Sequence, residues 1–491
     1  MKSVVTLVAS ALLASVAQAQ VVQWDIAKRH VGPRFAKRQD GTFTEVITNE
    51  KTRGGYFASC QVGTPGQNLT LQLDTGSSDI WVPSSSASVC DQDSQNSGCT
   101  FGSFDESASS TFSVVGENEF TISYVDGSHS KGDYVADTFE IGGATLNNMT
   151  MGLGLSTDIP YGLVGVGYAL NEAIIANTQS ASSAYDNLPV LMQKQGLIAT
   201  NAYSLWLNDL DANTGSILFG GIDTEKYQGE LTRINIYKDS QTNAFSSFIV
   251  ALTSLQASSS SGTDTLTSSE LPVPVVLDSG TTFSYLPTDI AEQMWQEVGA
   301  AYYTQLGLAL LPCSMENSDG HFSFGFGGSG GPVINVTMDE LVLPLTDEPQ
   351  QFPSGPYEGQ DICQFGVQNF SSSPYLLGDT FLRSAYVVYD LVNNEIGLAP
   401  TDFNATGSNV VAFPSEGAQI PSASAAPNQA EVTQTSGSLS QPTYGASGGF
   451  QNHDAESAAS LLPPAFDWSR IAVMGASMCF VMVGSGFFLL I

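Results

Sequence analysis

Two stretches about two hundred residues apart read almost alike: Leu71-Gln72-Leu73-Asp74-Thr75-Gly76-Ser77 and Val275-Val276-Leu277-Asp278-Ser279-Gly280-Thr281. In each, an apolar run with strand character ends in an Asp seated on a turn of small, hydroxylated and glycine residues. A carboxylate is thus delivered from a rigid strand onto a loop that admits close backbone approach. Two such half-sites facing one another would bring two carboxyl groups together, where both cannot ionise at once. One then keeps a proton while the other acts as a base. Taken singly, Asp-Thr-Gly and Asp-Ser-Gly are also ordinary turn sequences, so the constraint lies in their recurrence.

The recurrence extends further. Leu163-Val164-Gly165 follows the first motif and Leu376-Leu377-Gly378 the second, 91 residues from Asp74 to Gly165 and 100 from Asp278 to Gly378. Two related lobes with different loop insertions fit this spacing. Between the ends of the chain, short apolar runs alternate with Gly, Asn, Asp and Ser turns, as in Tyr56-Phe57-Ala58-Ser59-Cys60-Gln61-Val62 and Val387-Val388-Tyr389-Asp390-Leu391. That pattern predicts an all-β fold. The clearest helix is expected over Asp289 to Leu306, with Thr288 as N-cap. The Ser/Thr-rich stretch 257–269 reads as a surface insertion open to nicking.

With both motifs in view, the chain resembles the pepsin-like aspartic protease family over roughly Gly55 to Pro400, in particular its fungal, surface-anchored yapsin-type members. The resemblance implies a bilobal all-β fold with the cleft between two related lobes, here 39–225 and 226–403. It implies Asp74 and Asp278 as the catalytic pair, flanked by Gly76 and Gly280, with the hydroxyls of Ser77 and Thr281 bonding the outer carboxylate oxygens. Trp81 matches the indole that partners the flap tyrosine, Tyr124, on a hairpin whose Asp126-Gly127 is a strong turn signal. Val125 stands where pepsin has glycine, so flap mobility is expected to differ. The segments Leu377 to Arg383 and Asn393 to Ala399 also match the family. Implied too are the bridges Cys90–Cys99 and Cys313–Cys363, leaving Cys60 as a buried thiol. Asp126 at the flap tip resembles fungal members that accept Lys or Arg at P1. The implied activity is peptide hydrolysis by a shared water, with no cofactor and no metal, on a monomer acting on peptides and proteins. A catalytically silent wall or binding protein on this scaffold is the alternative, and loss of an aspartate would mark it; both are present.

The ends are not expected to belong to the fold. Residues 1–19 combine Lys2, an apolar run and Ala17-Gln18-Ala19, the composition of a secretory signal peptide. Residues 20–38 hold five basic residues against Asp25 and read as a propeptide ending at the dibasic Lys37-Arg38. A basic pro-segment can neutralise an acidic cleft and be released as carboxylates protonate. Residues 471–491 are uncharged, long enough to span a bilayer, and followed by no basic residues. With the small residues Ser457-Ala458-Ala459-Ser460 and a spacer of ten upstream, this reads as a GPI-attachment signal over 458–491, the anchor at Ser457 or Ala458, in preference to a transmembrane span. Residues 404–457, rich in Ser, Ala, Pro and Gly, read as a glycosylated stalk unable to bury a core. Sequons at Asn68, Asn148, Asn335, Asn369 and Asn404 agree with secretion to the outer side of the plasma membrane or the cell wall.

With 8 Lys and Arg against 46 Asp and Glu, residues 39–457 carry a net charge near −38. Such a surface repels nucleic acid, attracts cationic peptides, and is relieved of self-repulsion at acid pH. Metal-ligand clusters, nucleotide-binding glycine motifs and a Ser-His arrangement are not evident among only four histidines.

Overall fold

A computed structural model of the chain describes residues 21–29, 55–91, 98–124, 127–212, 214–260, 262–268, 271–304, 306–346 and 349–432. The expected signal peptide, the expected processing point at Lys37-Arg38, Val125, Asp126 and Ser457 with the expected attachment signal lie outside the described residues. Strands dominate and build two β-rich lobes, the bilobal pepsin-like architecture.

Each Asp-bearing strand runs parallel to the Gly-ending strand of its own half. Gln67–Asp74 pairs with Gly162–Gly165, Asp74 opposite Gly165, and Val273–Leu277 pairs with Tyr375–Leu377. A short strand leaves each catalytic turn, Ile80–Pro83 or Ser284–Pro287, and lies antiparallel against that same Gly-ending strand. The glycines recur because backbone passes over them. A Cβ on Gly165 would stand 2.6 Å from Ser78 N, and one on Gly378 would stand 2.3 Å from Thr281 O. These strands are covered on both faces and therefore read as continuous apolar runs. Leu71, Leu73, Val164, Val275, Leu277 and Leu377 all lie in one core, each burial stabilising by about 1.5–3 kcal/mol.

The lobes meet on a platform built by both halves. Gly215–Phe219, Ala202–Trp206, Ala385–Asp390 and Glu395–Pro400 are successive neighbours in a 14-stranded sheet. Val22–Arg29 lies in the same sheet between Gly215–Phe219 and Gly55–Val62, so the stretch read as a propeptide contributes a strand.

That strand is one departure from the expectation that the ends lie outside the fold, and the structure differs from the sequence reading in three further places. The stretch 257–269 is no surface insertion: Ile249–Ser259 and Gly262–Leu266 form a hairpin whose Leu255, Ala257, Asp264 and Leu266 point inward. The Ser and Thr residues occupy its outer face and hid the alternation. The helix spans Thr288–Val298, with Pro287 as N-cap, and stops short of Leu306 because Gly299 turns left-handed at φ 68°. The chain beyond 403 is folded as far as 432. Val410–Ala412 pairs with Gly221–Asp223, and Ala423–Ala425 lies parallel to Leu231–Asn235. Phe413 and Ile420 are buried beside Ile222, Leu231 and Tyr386. A few apolar residues suffice where a sheet edge waits to be covered, so residues 404–432, read as part of a stalk, belong to the fold instead.

Disulfides join Cys90 to Cys99 and Cys313 to Cys363, and Cys60 is a buried free thiol. Asn68, Asn148, Asn335 and Asn404 are exposed and Asn369 is half-buried. Among the described residues no helix is long and apolar enough to cross a membrane, and no group of His, Cys, Asp and Glu could hold a metal ion.

Candidate active site

The two Asp turns carry the same hydrogen bonds. Asp74 Oδ1 accepts from Gly76 N at 2.8 Å and Oδ2 from Ser77 Oγ at 2.5 Å. Asp278 Oδ1 accepts from Gly280 N at 2.8 Å and Oδ2 from Thr281 Oγ1 at 2.7 Å. Every one of these donors lies two or three residues beyond its Asp, so the local sequence suffices to make them. The lobes then bring the two carboxyl groups into hydrogen-bonding reach of each other.

Both aspartates are fully buried. Burial pushes Asp74 well above the usual carboxylate range, and the neighbouring charge of Asp278 raises it further, against the hydrogen bonds from Ser77 and Gly76. Burial likewise raises Asp278, with Thr281 and Gly280 opposing. The pair therefore retains a proton in acid, and that proton belongs to the pair. Such an arrangement can deprotonate a water with one carboxylate while the other carboxyl donates to a carbonyl oxygen.

The hairpin expected as the flap pairs Ser113–Ser123 with His129–Ile141. Its tip turn is closed by Tyr124 N donating to Ser128 O and Gly127 N donating to Tyr124 O, both at 2.9 Å. Trp81 Nε1 donates to Tyr124 Oη at 2.7 Å, which draws the flap ring down until it is only 4% exposed. Asp126 falls outside the described residues.

Several members of the site escaped the sequence reading. Thr75 and Ser279, the middle residues of the two motifs, reach across the lobes to each other. Paired hydroxyls at the same motif position were the available signal. Away from the cleft, Glu340 and Arg383 form a buried ion pair, Arg383 Nε donating to Glu340 Oε2 and an Nη to Glu340 O at 2.6 Å. Asp79, Tyr134 and Glu172 are buried beside the flap strands with the half-buried Tyr185 against them, and no spacing in the sequence announces this cluster.

The family model described as "Eukaryotic aspartyl protease" matches residues 55–401 and ends where the strap begins. A "Probable aspartic-type endopeptidase opsB" of Aspergillus oryzae is 41% identical over 424 residues, 85% of this chain and 84% of that protein. An "Acid protease" of Saccharomycopsis fibuligera is 37% identical across 73% of this chain and 83% of its own. "Aspartic proteinase yapsin-3" of Saccharomyces cerevisiae is 34% identical across 80% and 74%.

Proposed function

The chain belongs to the eukaryotic aspartyl protease family and is an aspartic-type endopeptidase; from that premise we propose that it is a yapsin-like, GPI-anchored surface enzyme that cleaves at acid pH and prefers Lys or Arg at P1. The observation that carries the chemistry is the mirrored Asp74/Asp278 pair, each carboxyl held by its own turn. One carboxylate draws a proton from a water between them, the water attacks the scissile carbonyl carbon, and the protonated partner donates to the carbonyl oxygen. Collapse of the tetrahedral intermediate breaks the C–N bond as the amine takes a proton from the pair. Tyr124 closes over the substrate from the flap side and excludes bulk water.

An acid working range is supported by the raised pair, which holds on to a proton there. Basic P1 preference is supported by Asp126, two residues after Tyr124 in the sequence, and by the net charge near −38, which steers cationic peptides. Secretion and anchoring rest on residues 1–19, the pro-segment 20–38 and the tail 458–491, with the two lobes of a monomer meeting near 225 and the second running on through the strap to 432. The five sequons would carry glycans.

Asp74→Asn and Asp278→Asn are the decisive variants. Each should abolish peptide cleavage in a folded protein, and a pepstatin-type mimic should inhibit the native enzyme; undiminished cleavage by either variant overturns the mechanism. In a peptide library at several pH values, Asp126→Ala should lower the ratio of Lys/Arg to Leu/Phe cleavage at P1. Release from cells by a GPI-specific phospholipase separates the anchor from a transmembrane span.

A further inference from the structure

Besides the backbone bonds of Val166 N to Asp74 O and Gly167 N to Ser77 O, the segment that follows Gly165 is stitched to the first catalytic turn by four bonds that involve a side chain. Asn171 Nδ2 donates to Gly76 O at 3.0 Å, and Asn187 Nδ2 donates to Ser78 O at 3.5 Å. The other two bonds end on one side chain. Asp79 Oδ2 accepts from Ala173 N at 2.7 Å, and Oδ1 accepts from Tyr185 Oη at 2.7 Å. Oδ1 also takes a longer contact, 3.4 Å, from Tyr134 Oη. Ala173 opens the short helix Ala173–Thr178, while Tyr134 sits on the second strand of the flap hairpin.

That helix touches the flap directly. Asn177 Nδ2 donates to Thr121 O on the first flap strand at 2.9 Å. Tyr134 stacks edge-on against both Phe120 and Tyr185, with centroids 5.4 and 5.7 Å apart, and Phe120 meets Trp81. One buried carboxyl group, five residues beyond Asp74, thus ties the helix, the root of the flap and the catalytic turn together.

We propose that Asp79 is a positioning residue for the substrate-binding side of the cleft, its carboxyl group holding the helix Ala173–Thr178 and the root of the flap in register against the turn that carries Asp74. The proposal rests on the reading of this cleft as a protease active site. Asp79 touches no reacting atom; it acts through the wall and the flap that a bound peptide must meet.

Its surroundings fit this work under acid conditions. The titratable groups facing Asp79 are Tyr134 from the flap, Tyr185 and Glu172 from the stitched segment, and at longer range Tyr124. None is a cation, and among the described residues no Lys, Arg or His pairs with Asp79. Burial pushes Asp79 up to about 6 against the hydrogen bonds from Ala173, Tyr185 and Tyr134. Below that pH the group is a neutral acid, accepting from Ala173 N and donating toward a tyrosine oxygen. An asparagine offers the same acceptor and a donor; an alanine offers neither.

The test measures kcat and KM of the full secreted chain at pH near 4, per active site titrated with a pepstatin-type inhibitor, for Asp79→Ala, Asp79→Asn and Tyr185→Phe. Asp79→Ala should lose about tenfold in kcat/KM, carried mainly by KM, as removal of a buried hydrogen-bond anchor of this kind would give. Asp79→Asn should stay within about twofold of the native value, and Tyr185→Phe should fall between them. Amide hydrogen exchange in Asp79→Ala should quicken in both 120–124 and 173–178. Where Asp79→Ala does not fold, Tyr185→Phe decides, since it removes one hydroxyl and keeps the ring. Native kcat and KM in folded Asp79→Ala, or in Tyr185→Phe, overturn the proposal. So does a loss confined to the active-site titre, which would mark a merely structural role, or an Asn variant as impaired as the Ala variant. A native enzyme that cleaves no peptide would instead overturn the protease reading itself, so the two failures are separable.

Discussion

Thr75 and Ser279 exchange hydrogen bonds across the boundary between the lobes. Thr75 N donates to Ser279 Oγ at 3.2 Å and Ser279 N donates to Thr75 Oγ1 at 2.9 Å. Each hydroxyl also donates onward, Thr75 to Leu277 O and Ser279 to Leu73 O. Each side chain therefore binds the strand that delivers the opposite aspartate, and the carboxyl separation is set by four hydrogen bonds between lobes.

Thr75→Val keeps the shape and removes both bonds of one hydroxyl, leaving Ser279 N–H and Leu277 C=O unpaired in a buried site. The expected cost is about 1–3 kcal/mol of stability for each unpaired group. Activity should fall by about a hundredfold, since a displacement near 1 Å at reacting groups costs that much. Urea unfolding and kcat/KM check the two halves of this expectation. Thr75→Val and Ser279→Ala together should lose less than the sum of their separate losses, because the pair shares one network.

Trp81→Phe removes the donor to Tyr124 Oη and leaves that hydroxyl buried without its partner. The flap should spend less time closed, and kcat/KM should fall about tenfold, the equivalent of roughly 1.4 kcal/mol. Steady-state kinetics at acid pH read this. A variant with native kcat/KM would show that the indole bond does not govern closure.

Stability should be greatest in acid and decline as pH rises toward 9. Burial holds Glu172 at about 9, with the charge of Asp79 adding to it, and burial with Asp264 holds Glu297 at about 8. Asp79 is held at about 6. All three folded values lie above the ordinary 4.5, 4.5 and 3.8 of these groups. The folded chain therefore binds more protons than the unfolded chain throughout that interval, and stability falls with pH. The contribution of these groups is fully present below about pH 4 and is lost as pH passes through 6, 8 and 9. Melting temperatures from pH 3 to 9 provide the check, and Glu172→Gln should flatten the alkaline side.

Phe413→Ala should destabilise the whole protein by about 3–5 kcal/mol, the usual cost of emptying a buried Phe site. Phe413 lies in the core between the strap and Leu231, and the strap is pinned by Asp223, which accepts from Ser408 Oγ and Asn409 N, each at 2.7 Å. Lys226 Nζ adds a bond to Ala405 O at 2.7 Å. The urea midpoint of the intact chain measures the effect. A change under about 1 kcal/mol would place the strap outside the cooperative fold.

Asp74 with Ser77, and Asp278 with Thr281, were legible in the sequence because their hydrogen bonds close within four residues and a short motif contains all the partners. The all-β architecture and the two lobes were legible for a related reason, since strand runs and turn residues are local and the duplication is a repeat of local patterns. The partners of Asp79, by contrast, sit 55 to 106 residues away, and an Asp before Ile80-Trp81 reads equally well as a solvated turn residue. Thr75 and Ser279 lie 204 residues apart, so their bond exists only once two lobes have docked. The strap was misread because composition averages over a window, whereas burial depends on whether a few side chains meet an open sheet edge. Local covalent order determined which groups this chain carries into its cleft. Tertiary packing alone decided how far apart they stand and whether their carboxyl groups meet water, because distance and desolvation are properties of contacts between segments remote in sequence.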